Sequence, residues 1–137
     1  MIMRIIGFGI KRIFGEKNTV PNVKLSINQN INIKDVYKEK LNIAGEEAIG
    51  VNFIFSIVYS ENFGKVEVEG NLIILPEKEE LKEFSKSLKE KSIPDKFKSI
   101  ILNFIMNKCN IKALSIEDEI NLPYHVPMPK LTPADKD

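Results

Sequence analysis

The chain has 137 residues, of which 43% are hydrophobic and 28% are charged, with a formal net charge of +1. This length and composition predict one folded domain, and the near-neutral charge gives no reason to expect nucleic acid or a membrane surface as a partner. No apolar run approaches the roughly 20 residues of a membrane span, so no membrane insertion is expected. The single cysteine excludes an internal disulfide framework and fits the reducing cytoplasm, which is the expected location.

Four segments in the first half of the chain alternate apolar and polar side chains, which is the pattern of strands with one buried face. These predicted strands cover residues 4–14, 23–33, 51–59 and 65–75. The third and fourth are joined by ENFG, residues 61–64, which is typical of a tight turn. Mostly short connections of this kind predict an antiparallel meander, in which each strand pairs with the next along the chain.

The second half predicts two helices. Pro76 and the glutamates that follow it suit the first turn of a helix extending to Lys91. A second helix begins near Ser92 and Pro94 and can turn four apolar residues toward the sheet, namely Phe97, Ile101, Phe104 and Ile105. The expected fold class is therefore α+β, a four-stranded antiparallel sheet followed by two helices packed on it.

The domain is predicted to span residues 1–122. Residues 123–137 contain four prolines, which exclude a helix, and are predicted to form an extended C-terminal tail.

The second helix is apolar on nearly every side, and three of its residues, Ile100, Leu102 and Met106, are surplus to a face that covers the sheet. Burying each would contribute roughly 1.5–3 kcal/mol. We therefore expect these residues to form the interface of a homo-oligomer, a dimer or a tetramer. The residues leave a second arrangement open, in which the first strand or the proline-rich tail covers them within one chain.

Groups suited to catalysis or metal binding are scarce in this sequence. His125 is the only histidine and Cys109 the only cysteine, so no zinc-binding spacing exists. Gly7 and Gly9 lack the following helix that a phosphate-binding loop requires. The acidic run at residues 117–119 is interpreted as solvated charge at a helix end. The sequence predicts a protein that is not an enzyme and needs neither a cofactor nor a metal.

Three stretches, in this order of elements, resemble the SecB family of export chaperones. FGIKRIFGEKN, residues 8–18, is similar to the opening strand of that family. VPNVKLSINQN, residues 20–30, is similar to its second strand, which is entered through a proline. FKSIILNFIMNKCNIKALSI, residues 97–116, with LPYHVPMPKL, residues 122–131, is similar to the long helix and the proline-containing stretch after it.

The resemblance implies a four-stranded antiparallel sheet backed by helices, assembly into dimers and dimers of dimers, and apolar grooves that hold unfolded polypeptides before export. Some relatives serve toxin–antitoxin systems instead. Two features depart from the family pattern. The connection between the first two strands is short, residues 15–22, and the chain ends in PMPKLTPADKD, where the family has a further helix and a tail that contacts the export motor.

The function expected from this resemblance is that of an ATP-independent holdase for unfolded polypeptides, with protein export as its setting. Phe14, Val20 and Tyr124 are the residues predicted to line the client-binding groove. Two alternatives remain open. One is a chaperone associated with a toxin–antitoxin system, and the other is a non-catalytic small-ligand-binding or accessory subunit with Tyr124 and His125 at the rim of its pocket.

Overall fold

A computed structural model describes residues 3–19, 24–40, 46–127, 129 and 131. Four strands form one antiparallel sheet, β1 (Arg4–Lys17), β2 (Ile27–Lys40), β3 (Glu47–Tyr59) and β4 (Gly64–Leu75), and two helices follow, α1 (Lys78–Leu88) and α2 (Asp95–Ile120). This arrangement confirms the predicted α+β class. Within the described residues, neither helix is long and apolar enough to cross a membrane.

The order of strands across the sheet is β1-β4-β3-β2, so β1 pairs with β4 and lies at the edge opposite β2. The predicted meander is wrong in this respect. Alternation specifies which face of a strand is buried but not which strand lies beside it. Both ends of the β1–β2 connection are hydrogen-bonded at the turn between β3 and β4: Asn18 N–H donates to the Phe63 carbonyl, and Ser26 N–H donates to Ser60 Oγ.

β2 continues well beyond the predicted end at Ile33 because the register shifts between Ile33 and Asp35. Ile33 pairs with Phe53, and after the shift Val36 pairs with Val51. The extra residue of this bulge returns Val36 to the same face as Ile33. The bulge therefore reverses the phase of the alternation in the sequence while the strand itself continues.

The core lies between one face of the sheet and α2. Alternate residues of β3 and β4 point into it, and the buried residues of α2 fall at every fourth position. Because a helix has about 3.6 residues per turn, a row with this spacing winds slowly around α2 and follows the twist of the sheet. The row consists of Phe97, Ile101, Ile105, Cys109, Ala113 and Glu117.

The short helix α1 docks against the beginning of α2. Its N-terminus is stabilised by a capping box, in which the Glu77 backbone N–H donates to Glu80 Oε1 over 2.9 Å. Phe84 is fully buried and stacks on Phe97, with ring centroids 5.0 Å apart and an angle of 9° between the planes. This aromatic pair joins the two helices.

Candidate functional site

The chain turns back onto the sheet immediately after α2. Asn121 adopts the left-handed conformation, with φ 59° and ψ 42°, and ends the helix. Leu122 is buried against the start of β4, where a Cβ atom on Gly64 would lie only 2.6 Å from its side chain. We call residues 122–125 the C-terminal strap. Their path places His125 over Phe55 of β3, with ring centroids 6.3 Å apart in an edge-on arrangement.

A buried polar network holds the strap in place, and Glu117 lies at its centre. The Glu117 carboxylate accepts from His125 Nδ1 at 2.8 Å, from the His125 backbone N–H at 3.2 Å and from the Tyr59 hydroxyl at 3.0 Å. The Tyr59 hydroxyl also contacts the carbonyl oxygen of Pro123. On the other side of the imidazole, Nε2 lies 2.7 Å from Asn110 Oδ1. The side chains of Glu117 and His125 are both 0% exposed.

The prediction of a solvated acidic run at residues 117–119 is wrong for Glu117. The spacing of four from Ala113 places Glu117 at the end of the buried row of α2. A carboxylate in this position is stable only because three donors surround it. The next residue, Asp118, does face solvent and accepts a hydrogen bond of 2.7 Å from the Tyr124 hydroxyl.

Burial also keeps the Tyr59 hydroxyl and the Cys109 thiol protonated. The pKa of the Tyr59 hydroxyl is raised far above its usual value, first by burial and then by the charge and hydrogen bond of Glu117, so Tyr59 remains a neutral donor. Burial also raises the pKa of the Cys109 thiol to about 12, so Cys109 is a protonated core residue without the reactivity of a thiolate.

A carboxylate beside a histidine is also found in hydrolytic active sites, but here the pair is closed to substrates. Both ring nitrogens already contact protein acceptors, and the ring has no exposed surface. General acid–base chemistry needs a ring nitrogen within hydrogen-bond reach of the substrate. The arrangement therefore fixes the strap and leaves no ring nitrogen free for catalysis or metal binding.

The residues predicted to line a client groove lie apart. Phe14 is 37% exposed and pairs with Glu67, which points away from the face covered by α2. Tyr124 is 43% exposed on the helix side, at the rim of a cavity of about 360 Å³ that includes Phe63 and Pro123. Val20 lies outside the described residues. The structure thus does not bring Phe14 and Tyr124 together, and their contact with a client stays a prediction.

The three residues predicted to form an oligomer interface do not share one face of α2. Ile100 is 41% exposed, whereas Leu102 is half-buried and Met106 packs against the core cluster. The most exposed apolar residue of α2 is Ile111, at 69%, which the sequence reasoning missed. Its distance of eleven residues from Ile100 is about three helical turns and could have identified it.

No family model matches the sequence, and no curated protein matches it in sequence. One solved structure with a similar fold is that of the Mycobacterium tuberculosis Rv1957 SecB-like chaperone in complex with a ChAD peptide from the Rv1956 HigA1 antitoxin. The two structures align with a TM-score of 0.59 at 11% sequence identity, over 95% of this chain and 90% of that one.

The fold is SecB-like. The sheet and α2 require only alternation and an apolar helix face, which many sequences satisfy. At 11% identity, the side chains of the mycobacterial protein identify no individual site residue of this chain.

Proposed function

We propose that this protein is a non-catalytic chaperone that binds unfolded polypeptides without ATP. The observation that carries the proposal is the SecB-like fold over nearly the whole chain, together with the peptide bound by the similar mycobacterial protein. Protein export is the proposed setting. In both the export and the antitoxin setting the client is an extended chain, which presents apolar side chains together with unpaired backbone groups.

The edge strand β1 offers features that suit such a client. Among the described residues it is hydrogen-bonded as a strand only to β4, which leaves its outer backbone groups available. The exposed apolar side chains near its C-terminal end are Ile13 at 50% and Phe14 at 37%. Ile13 pairs with Val68 and so lies on the helix side, the same side as Tyr124. Ile13 is therefore better placed than Phe14 to line one groove together with Tyr124.

The test is suppression of aggregation of an unrelated unfolded protein at near-stoichiometric ratios. Serine at Phe14, Val20 and Tyr124, singly and together, is expected to weaken client binding by about 1–2 kcal/mol per position, roughly five- to thirty-fold in affinity. Ile6→Ser is the matched control, since Ile6 is similarly exposed but lies near the other end of β1. A folded triple variant that protects clients as well as the parent would remove these residues from the site.

The bound antitoxin peptide of the similar structure supports a second, narrower candidate, a chaperone dedicated to one antitoxin. The same assay separates the two. A general holdase protects several unrelated proteins, whereas a dedicated chaperone binds one client tightly and leaves the others to aggregate. Stabilisation by one small molecule, without protection of any client, would instead favour the small-ligand-binding subunit.

We also propose that the protein assembles through the outer face of α2. Ile100, Phe104, Asn107, Ile111 and Leu114 follow a spacing of four and three residues, which is the seam of a helix that pairs with another helix. Ile100 and Ile111 are exposed, while Phe104 and Leu114 are half-buried. A polar Asn107 in the middle of the seam would favour one register over others.

Charge supports an antiparallel pair of two α2 helices centred on Asn107. Lys96 lies near the beginning of this face and Asp118 near its end, so the antiparallel arrangement brings opposite charges of the two copies together. It also places Ile100 of one copy against Leu114 of the other. The result is a two-fold symmetric contact, the commonest type among homodimers.

Lysine at both Ile100 and Ile111 is expected to dissociate the oligomer, because two unpaired charges would be buried in an apolar contact. Light scattering at micromolar protein concentration measures the mass. Val58→Lys is the matched control, since Val58 is 44% exposed on β3, away from α2. A well-folded monomer for the unmodified protein would contradict the proposal. Met106→Lys is not a suitable test because Met106 packs against the core.

A further inference from the structure

The strap is held by a histidine whose two ring nitrogens both face acceptors. Nδ1 lies 2.8 Å from Glu117 Oε2, and Nε2 lies 2.7 Å from Asn110 Oδ1. A neutral imidazole carries one N–H and can donate from one nitrogen only. Both contacts are satisfied as hydrogen bonds when the ring is doubly protonated, which also places a positive charge beside the buried Glu117 carboxylate.

We propose that the C-terminal strap is a proton-dependent clasp, closed over β3 when the His125 imidazole carries two protons and opened when it loses one. Once a proton is lost, one of the two nitrogens faces an acceptor with its lone pair, and Glu117 loses its buried counter-charge. Both changes act on the same side chain, so they weaken the same attachment of the strap.

The surroundings leave the imidazole as the group that responds when the pH rises. The titratable side chains that contact the strap are Glu117 and Asp118 from α2 and Tyr59 from β3. Both oxygens of Glu117 accept hydrogen bonds, and Asp118 accepts one from Tyr124. Tyr59 remains neutral because burial beside Glu117 raises the pKa of its hydroxyl far above its usual value. Stability contributed by the clasp is thus present while the ring is doubly protonated and is lost as the pH rises.

Opening would change what the protein presents to a partner. The closed strap lies over Phe55 and Tyr59, which are 0% and 1% exposed, and it places the buried Leu122 against Gly64. Release uncovers the aromatic residues at this end of the helix-facing side of β3. This surface adjoins Tyr124, so an open strap enlarges the apolar area available to an extended polypeptide. This consequence rests on the proposed chaperone function, whereas the clasp itself does not.

The experiment uses the unmodified protein, labelled with ¹⁵N-histidine and ¹³C-phenylalanine. Because His125 is the only histidine, its two ring nitrogens report the protonation state without overlap. The expected result is two protonated nitrogens at the acidic end of the titration. On loss of one proton, the Phe55 ring signals should shift and the His125 amide should lose its protection from exchange together.

Asn110→Leu and Asn103→Leu are the matched variants on α2. Removing the Asn110 acceptor is expected to move the transition to lower pH, whereas Asn103 is exposed and its replacement should leave the titration unchanged. A ring that is singly protonated while the strap remains closed would overturn the clasp, because Asn110 would then be donating to Nε2. A strap that stays closed across the whole titration of the ring would overturn it equally.

Binding of an unfolded polypeptide is measured separately on both sides of the transition. Higher affinity with the strap open supports its role in client access. Equal affinity would exclude that role, while the nuclear magnetic resonance signals of His125 and Phe55 would still test the clasp itself. Absence of any client binding would count against the chaperone proposal alone, so the failures of the two proposals are distinguishable.

Discussion

Replacing Glu117 with leucine is expected to lower the free energy of unfolding by about 3–5 kcal/mol, because three buried donors stay in the core without the acceptor that they share. His125 Nδ1, the His125 backbone N–H and the Tyr59 hydroxyl all lose an acceptor in this variant. Urea or guanidinium unfolding of the purified protein measures the change. The control is Glu119→Leu, on the same helix turn but exposed, which should change stability by no more than about 0.5 kcal/mol.

The double variant Glu117→Leu with His125→Leu separates loss of the buried polar contacts from loss of packing. Replacing both members of a buried pair with apolar residues is often nearly neutral, so the double variant should recover part of the stability lost in Glu117→Leu. A double variant less stable than either single variant would mean that the two residues act independently. It would contradict the contacts described for the strap.

The strands could be predicted from the sequence because each has one more exposed face and one more buried face. Alternation in β3 runs without interruption, with Val51, Phe53, Phe55, Ile57 and Tyr59 all buried. The neighbour of each strand could not be predicted in this way. β1 and β2 are consecutive in sequence and lie at opposite edges because the connection passes the β3–β4 turn, a contact that alternation does not encode.

The buried row of α2 was only partly predicted. Phe97, Ile101 and Ile105 were expected to face the sheet and do so, whereas Phe104 remains half-buried. The row continues to Glu117, where charge in the sequence suggested solvent. Apolar patterning cannot reveal a carboxylate whose partners are supplied by distant segments: Tyr59 lies 58 residues away along the chain. The signal available in the sequence was the spacing of four residues, which marks position 117 as buried although its residue is charged.

The strap escaped prediction for the same reason. The prolines after residue 122 predict an extended tail, and the described residues 123–127, 129 and 131 are not helical. Leu122 nevertheless packs on the sheet through its apolar side chain, and His125 lies over Phe55 while its hydrogen bonds go to Glu117 and Asn110 of α2. An extended segment that is held by a few hydrogen bonds shows almost no periodic pattern in the sequence, because each bond depends on a single residue and its partner.

The second large effect is expected at the aromatic pair that joins the helices. Phe97→Ala should lower the free energy of unfolding by about 3–5 kcal/mol, since a fully buried aromatic ring is removed from a close-packed core. Phe84→Ala should also release α1, whose buried residues are Glu80 and Phe84 only. Far-ultraviolet circular dichroism then registers the loss of about 11 helical residues, the length of α1.

A double-mutant cycle tests whether the stacked geometry itself matters. The rings lie 5.0 Å apart and are nearly parallel. The losses of unfolding free energy in the two single variants should therefore add up to about 0.5–1.5 kcal/mol more than the loss in the double variant, which is the coupling typical of aromatic pairs. Lys82→Ala on the exposed side of α1 is the matched control and should leave stability within about 0.5 kcal/mol of the parent. Strict additivity of Phe84→Ala and Phe97→Ala would show that each ring packs against the sheet independently, and α1 would then be held by contacts other than this pair.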